Sequence, residues 1–474
     1  MSAGSKRSIG AFARAQMASL RARLAASGGR LRVTRQMAGA AFLIRIAGAG
    51  IVFVSQALLA RWMGEHAFGN YVYVWTWLLL LSDLFHFGLP LTAQRYVPSY
   101  TDAGSLPLLR GYLKASRWIV FLIGAGAAVI GLLVIFAAPG IFEQDLVAPL
   151  ICGCVALPFF LLTFMSDALA RCYNWVRLAL LPAYIARPLG LIVIVGVLHF
   201  AGMRVDDTTV LATLAIVSAF VAVGQTIVFD RKIAGMVPRG PSQFTLGAWL
   251  RTAAPVVLVW GMYTLLTSTD VLVLKYFRPA EDVGHYFAAA KIIALVSIIN
   301  FSVGAAAAHQ FTRLHVAGDR DGLSAFAAAT VRLMFWPSLA VTLCVLAVGR
   351  PLLMLFGPVF AGAYPIMAVL AIGQLARASV GPAERLLNMV GQQNRCALAY
   401  VVAFAVNIIG CITLAPRFGG MGAAAATAAA FITEAALLAL IARRSVGVWL
   451  FVWRPKRRSG TRLGALRPQL GTER

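Results

Sequence analysis

The sequence predicts an all-α polytopic membrane protein with about 12 transmembrane helices, and three observations lead to that prediction. Of the 474 residues, 60% are hydrophobic and 12% are charged, whereas an average soluble domain carries about 25% charged residues. A soluble protein with so little charge could not cover its surface with polar groups, so most of this surface must face lipid. The other two observations are regularly spaced apolar runs and an internal repeat.

Twelve apolar runs of about twenty residues follow one another along the chain, and each is long enough to cross the hydrocarbon core of a bilayer. Turn-forming residues such as Pro139-Gly140 and Gly419-Gly420 separate them. The predicted spans are 39–60, 70–93, 116–138, 147–170, 178–200, 208–229, 248–274, 285–309, 331–356, 364–387, 396–416 and 420–442.

The distribution of positive charge predicts the orientation of these spans. Most of the 42 Lys and Arg residues lie at the two ends of the chain and in alternate loops, whereas the opposite loops are richer in Asp and Glu. Because basic loops stay in the cytoplasm, both termini are predicted to be cytoplasmic. The net charge of +25 belongs to this pattern, and no basic patch with interleaved aromatic residues indicates nucleic-acid binding.

The two halves of the chain resemble each other at an offset of about 215 residues. Phe68-Gly69-Asn70-Tyr71 opens the second predicted span, and Val283-Gly284-His285-Tyr286 opens the eighth. Six spans per unit is an even number, so the halves are parallel repeats around a central cleft, as in alternating-access transporters. The predicted units are a basic cytoplasmic tail (1–38), a first six-helix bundle (39–230), a cytoplasmic linker (231–247), a second six-helix bundle (248–443) and an interfacial, basic cytoplasmic tail (444–474).

Between Arg61 and Tyr100, a loop with Gly69-x-Tyr71 precedes an apolar span, a Gly88-Leu89 turn and the basic residue Arg95. This order resembles the first-to-second span region of polysaccharide transporters, a family of the multidrug/oligosaccharidyl-lipid/polysaccharide exporter superfamily. The resemblance extends over residues 38–445. The second half resembles the family through Pro255, Asp270, Leu272, Leu274, Tyr276, Gly284 and Tyr286.

The resemblance implies a flippase of the bacterial inner membrane that translocates undecaprenyl-pyrophosphate-linked oligosaccharides for O-antigen, capsule or exopolysaccharide synthesis. It implies membrane lipids, a polysaccharide polymerase and glycosyltransferases as partners, H⁺ or Na⁺ as the candidate coupling ion, and no cofactor. The alternatives in the same superfamily are a multidrug/cation antiporter and a lipid II flippase. Lipid II flippases typically carry two further C-terminal spans, for which this sequence leaves no room after Arg443.

Basic residues inside the predicted spans are the candidate substrate-binding residues. An ionised side chain near the bilayer centre costs at least about 2.5–3.5 kcal/mol, so it should face a cavity or a partner. Arg45, Arg187, Lys291 and Arg377 are therefore expected to bind an anionic pyrophosphate headgroup, to which Arg offers a bidentate fork. Arg350 lies near the outer end of its span, where its side chain can snorkel to the membrane surface, so it is not expected to bind the substrate.

Acidic residues inside the spans are the candidates for ion coupling or gating. Asp83, Asp270 and Glu384 are expected to act in ion coupling or gating, because transporters bind protons or sodium ions with buried carboxylates. Structural pairing is the alternative for all three, and Arg377 in particular could neutralise Glu384 on its own helix. Arg45 could instead snorkel to the cytoplasmic surface.

The sequence contains no motif of catalysis or metal binding. It has no Ser/His/Asp set, H-E-x-x-H or P-loop, and its six cysteines lack the spacing of a metal site. The alternative from another class of protein is a membrane-embedded glycan ligase or transferase. Such an enzyme needs a catalytic acid or base, often on a large outer loop. No predicted outer loop exceeds about ten residues, so an enzyme is not expected.

Overall fold

The computed structural model describes residues 43–138 and 140–452, together with residue 39. The predicted N-terminal tail (1–38) and the end of the predicted C-terminal tail (453–474) lie outside the described residues. Over these described ranges the chain is helical and contains no strand.

The first half contains eight α-helices. They are α1 (Leu43–Met63), α2 (Glu65–Phe85), α3 (Leu89–Asp102), α4 (Leu106–Ala137), α5 (Gln144–Cys172), α6 (Val176–Leu181), α7 (Arg187–Phe200) and α8 (Asp207–Ala234), counted over the described part of this half. A π-helical turn, Pro182–Ala186, joins α6 to α7. Because Pro182 has no backbone N–H to donate, the ladder of helical hydrogen bonds is interrupted there.

The second half contains nine α-helices within the described residues. They are α9 (Leu246–Phe277), α10 (Ala280–Ala294), α11 (Ser297–Val316), α12 (Arg320–Ala347), α13 (Gly349–Met354), α14 (Tyr364–Val380), α15 (Ala383–Met389), α16 (Gln393–Phe418) and α17 (Gly420–Ser445). Gly381 separates α14 from α15 with a φ of 66°, and a Cβ atom there would lie 2.9 Å from the Cα atom of Val331. The tenth predicted span is therefore two helices.

The helices confirm the prediction of an all-α polytopic membrane protein. Within the described residues, ten helices are long and apolar enough to cross a membrane, and the bent pair α10–α11 makes an eleventh if it forms one span. Helix α9, with 32 residues, coincides with the seventh predicted span. Within the described residues, each of the twelve apolar runs thus falls on a helix or on consecutive helices.

The order of helices repeats at an offset of about 215 residues, as predicted. Helices α2, α4 and α8 of the first half begin at positions that correspond to α10, α12 and α17 of the second. In the first half α5 packs against α2, α4 and α8, whereas in the second half α17 packs against α9, α14 and α16.

The two halves meet where α2 and α10 begin, and we call this contact between residues 64–70 and 279–287 the closed end. Gly69 lies directly on the backbone of α10, since a Cβ atom there would be 1.8 Å from the carbonyl oxygen of Ala280. The fully buried ring of Phe68 packs edge-on against three rings of the second half, those of Phe287, Phe356 and Phe360. The charge pattern predicts that the closed end faces outward.

Toward the other end, the second half has a hydrophobic core of its own. Phe311, Val331 and Leu386 belong to a cluster that contains second-half side chains alone among the residues described. The segment after α17 lies on this core, where the backbone N–H of Val452 donates to the carbonyl oxygen of Ser379 (3.2 Å). The main core, in contrast, combines side chains from both halves.

Candidate substrate-binding site

In the described part of the chain, three adjoining cavities lie below the closed end. The first-half cavity has about 260 Å³, the interface cavity about 270 Å³ and the second-half cavity about 240 Å³. Trp75 and Leu79, on the second and third turns below Phe68, line both the first-half and the interface cavity. Gln374 and Arg377 line both the interface and the second-half cavity. The cavities therefore follow one another across the boundary between the two halves.

Arg187 is a buried cation on the wall of the first-half cavity. The π-helical turn that starts at Pro182 ends directly before it, and the guanidinium carbon lies 3.9 Å from the centre of the Phe160 ring. The side chain is 7% exposed, and its Nε and Nη2 atoms have no hydrogen-bond partner among the residues that the structure describes. Leaving such a charge buried and uncompensated costs several kcal/mol, so Arg187 is suited to receive an anion.

The other charges of the first-half cavity neutralise each other. Asp167 and Arg171 both line it and form an ion pair one helical turn apart on α5. Gln56 of α1 donates to the hydroxyl of Tyr71 (3.1 Å), which leaves a mixed polar and aromatic wall. Arg45 does not line the cavity, although it lies close enough to Asp167 to act on its charge.

The interface cavity contains both a lysine and a buried carboxylate. The Nζ atom of Lys291 lies 4.6 Å from the centre of the Phe287 ring, and no acid in the described ranges pairs with it. Asp270 accepts hydrogen bonds from the hydroxyls of Tyr286 and Thr427 (3.2 Å for Thr427) and from the backbone N–H of Val271 (2.8 Å). Four helices, α9, α10, α16 and α17, thus surround one carboxylate, because Asn407 of α16 donates in turn to Thr427.

In the second-half cavity, Arg377 is compensated by Glu434 of α17, 3.3 Å away. Its guanidinium also lies 4.7 Å from the centre of the Phe431 ring. Glu384 lines the same cavity and accepts a hydrogen bond from Asn388 (3.4 Å). The alternative in which Arg377 neutralises Glu384 on its own helix is wrong, because the helix breaks at Gly381 and the ion pair is made with another helix.

Asp83 lies apart from these three cavities, at the end of α2. It accepts a hydrogen bond from the hydroxyl of Thr264 (3.1 Å), which ties α2 to α9 of the other half. The structure therefore brings five of the seven sequence-predicted site residues to the cavity walls, namely Arg187, Lys291, Arg377, Asp270 and Glu384.

Sequence reasoning missed the polar contacts of the closed end. His66 contacts Glu281 there, and His285 contacts Glu65. The internal repeat carried a signal for the first pair, because His66 and Glu281 are 215 positions apart, which matches the repeat offset. Residues at equivalent positions of two parallel repeats approach each other only where they lie near the pseudo-symmetry axis, as His66 and Glu281 do.

Two pseudo-symmetric helical bundles with polar cavities at their boundary define the class of alternating-access membrane transporters. The model of the family described as "Polysaccharide biosynthesis protein" matches residues 36–315, which is more than half of the chain. The chain therefore belongs to the polysaccharide biosynthesis protein family, as the sequence resemblance implied. Among curated proteins, none matches the sequence significantly.

Solved transporters of the MOP superfamily share this fold. A multidrug resistance MATE family transporter in its inward-facing conformation has a TM-score of 0.70 at 11% identity, over 86% of this chain and 98% of that one. The lipid II flippase MurJ, in an inward closed conformation, has a TM-score of 0.66 at 14% identity, over 86% and 87%. A MOP superfamily transporter from Pyrococcus furiosus has a TM-score of 0.62 at 12% identity, over 86% of this chain and 94% of that one. At these identities the likeness shows the fold alone.

Proposed function

We propose that this protein is a flippase that moves an undecaprenyl-pyrophosphate-linked oligosaccharide across the bacterial inner membrane for O-antigen, capsule or exopolysaccharide synthesis. The observation that supports the proposal most is Arg187, a buried guanidinium that faces a cavity and lacks an acidic partner among the described residues. Lys291 adds a second unpaired positive charge in the adjoining interface cavity. An anionic pyrophosphate headgroup supplies the charge that both side chains lack.

In the proposed cycle, the headgroup enters from the cytoplasm and binds between the two halves. Arg187 donates bidentate hydrogen bonds to the pyrophosphate, Lys291 contributes a point charge, and Arg377 binds further along the cavity wall. Arg45 stays at the cytoplasmic approach, where it attracts the anion. The closed end then opens and the opposite side closes, while the polyprenyl tail remains in the lipid.

Ion coupling is assigned to the acids of the second half. Asp270 is the proposed binding residue for H⁺ or Na⁺, because it is buried and the hydrogen-bond network around it joins four helices. A change in its charge therefore acts on several helices at once. Asp83 and Glu384 are the proposed gating residues, Asp83 through its bond across the α2–α9 boundary. The proposal contains no catalytic step, and a polymerase and glycosyltransferases supply and consume the cargo.

A multidrug/cation antiporter is the second candidate. Asp270 in the interface cavity favours it, since a cationic substrate needs a carboxylate. Against it, the Asp270 oxygens already accept three hydrogen bonds, and Arg187 and Lys291 would repel a cationic substrate.

The test is Arg187→Ala against Arg350→Ala, a second arginine of a predicted span that contacts only the face of the Tyr364 ring among the interactions described. Charge-assisted hydrogen bonds contribute about 1.5–3 kcal/mol, so Arg187→Ala should lower headgroup affinity by about 10- to 150-fold. Export of surface polysaccharide should fall sharply at equal membrane abundance, and Arg187→Lys should recover part of it. Normal export by Arg187→Ala would refute the flippase proposal. A drug-efflux defect in Asp270→Asn with normal glycan export would favour the antiporter.

A further inference from the structure

At the closed end, the imidazole ring of His66 bridges the two halves of the protein. Its Nε2 atom lies 2.8 Å from Oδ2 of Asp145, on α5 of the first half. Its Nδ1 atom lies 2.8 Å from Oε1 of Glu281, on α10 of the second half. Both ring nitrogens therefore contact carboxylates at hydrogen-bonding distance, and one of the two contacts crosses the boundary between the halves.

This geometry specifies the protonation state of the ring. A neutral imidazole has one N–H donor and one acceptor nitrogen, whereas the imidazolium has two N–H donors. Ionised carboxylates only accept, so both bonds form together when the ring is protonated. A neutral ring keeps one bond and faces the second carboxylate with a lone pair.

The charged and polar groups around His66 come from five helices. Asn70 of α2 donates to Asp145 (3.1 Å) and to Asp207 of α8 (3.0 Å), and Lys275 of α9 forms an ion pair with Glu143. The first half therefore presents two carboxylates, Asp145 and Asp207, and α10 presents a third, Glu281. The protonated ring of His66 lies between Asp145 and Glu281. When the ring loses its proton, these negatively charged carboxylates face one another without a cation between them.

A second histidine lies at the same boundary. His285 of α10 lies 3.2 Å from the carboxylate of Glu65 on α2, which again joins the two halves. Its Nε2 atom makes no hydrogen bond among the described residues, however, and it contacts a single carboxylate. The two-carboxylate bridge of His66 is present in the closed form and absent once the halves part.

We propose that the closed end is a proton-binding site, in which a proton from the outer solution on His66 holds the outer side shut. Histidine titrates near pH 6.5, so acidification favours the closed form and a rise in pH through this range favours opening. The side chain of His66 is 53% exposed in the closed form. The proton therefore exchanges with the outer solution, which makes the site a sensor of external pH and not a carrier of protons across the membrane.

The test measures the closed-to-open ratio as a function of pH, without any cargo. Spin labels at Met203→Cys and Val359→Cys, exposed positions in the first and second half, report the outer separation by electron–electron double resonance. The full chain, with its native cysteines replaced, is placed in lipid nanodiscs at pH 5 to 8. The bridge of His66 should change the ratio by up to about fivefold, the effect of an exposed ion pair.

Two variants and one control complete the test. His66→Gln should remove most of the pH response. Glu281→Gln should reduce the response as well, because it removes the acceptor that crosses the boundary. The control is His199→Gln, a histidine stacked on Trp62 (5.1 Å between ring centres) with no acid paired to it in the described chain. A wild-type ratio that does not change with pH, or a His66→Gln variant that keeps the full response, would overturn the proposal. Because no cargo is present, failure of the flippase proposal would leave this result unaffected.

Discussion

Gly69 offers a sharp perturbation of the closed end. A Cβ atom at this position would lie 1.8 Å from the carbonyl oxygen of Ala280, whereas ordinary contacts begin at 3.4 Å. Both Gly69 and Ala280 belong to helices whose backbones form the contact, so no flexible side chain can move aside. Gly69→Ala therefore requires α2 and α10 to separate by about 1.6 Å at this point.

The expected magnitude follows from this overlap. Overpacking of a close contact typically costs about 1–3 kcal/mol, and this cost applies to the closed form alone. A free-energy difference of that size changes the ratio of two conformations by about 5- to 150-fold. The Gly69→Ala protein should therefore populate an outward-open form and melt at a lower temperature under conditions that favour closure.

The chain supplies two matched glycines for comparison. Gly284 is the repeat equivalent of Gly69, and a Cβ atom there would lie 3.2 Å from the carbonyl oxygen of Glu65, so Gly284→Ala should have a much smaller effect. Gly126 of α4 has open space around it, and Gly126→Ala should leave the conformational ratio unchanged. The assay is the outer distance between labels at positions 203 and 359. If Gly69→Ala gave the distance distribution of Gly126→Ala, the closed end would not have the packing described.

Three further predictions concern buried groups. Glu434→Gln leaves Arg377 without its acidic partner and should lower the free energy of unfolding by about 3–5 kcal/mol. The double variant with Arg377→Met should recover most of this loss, as measured by thermal melting. If the effects of the two substitutions simply added, the pairing of Arg377 with Glu434 would be contradicted. Asp270→Asn should abolish the driving of transport by a Na⁺ or H⁺ gradient, while Asp83→Asn, which lies outside the cavities, should keep it. Equal behaviour of the two would argue against Asp270 as the coupling residue. Phe68→Ala removes a ring packed among three second-half rings and should destabilise the closed form by about 3–5 kcal/mol, with Phe68→Leu much milder; an unchanged outer distance would refute this.

Sequence patterns predicted the helices well because the membrane imposes a local rule. A span needs about twenty apolar residues in succession, and this property can be read without knowing any tertiary contact. The break at Gly381 was missed although Gly381-Pro382 is a local turn signal, and the close approach of Gly381 to Val331 shows why no side chain fits there. The bend between α10 and α11 was missed for a different reason, since no Pro or Gly marks it.

The candidate site could be predicted in its residue types but not in its charge balance. The sequence alone identified cations that a membrane tolerates only with a cavity or a partner, and Arg187 and Arg377 were equivalent on that basis. Tertiary packing distinguished them, because α17 brings Glu434 to Arg377 while no described acid reaches Arg187. Ion pairing across a bundle depends on the register of helices that are distant in sequence. Hydropathy and helical periodicity extend only over neighbouring turns, so they determine which segments cross the membrane and leave the pairing to the fold.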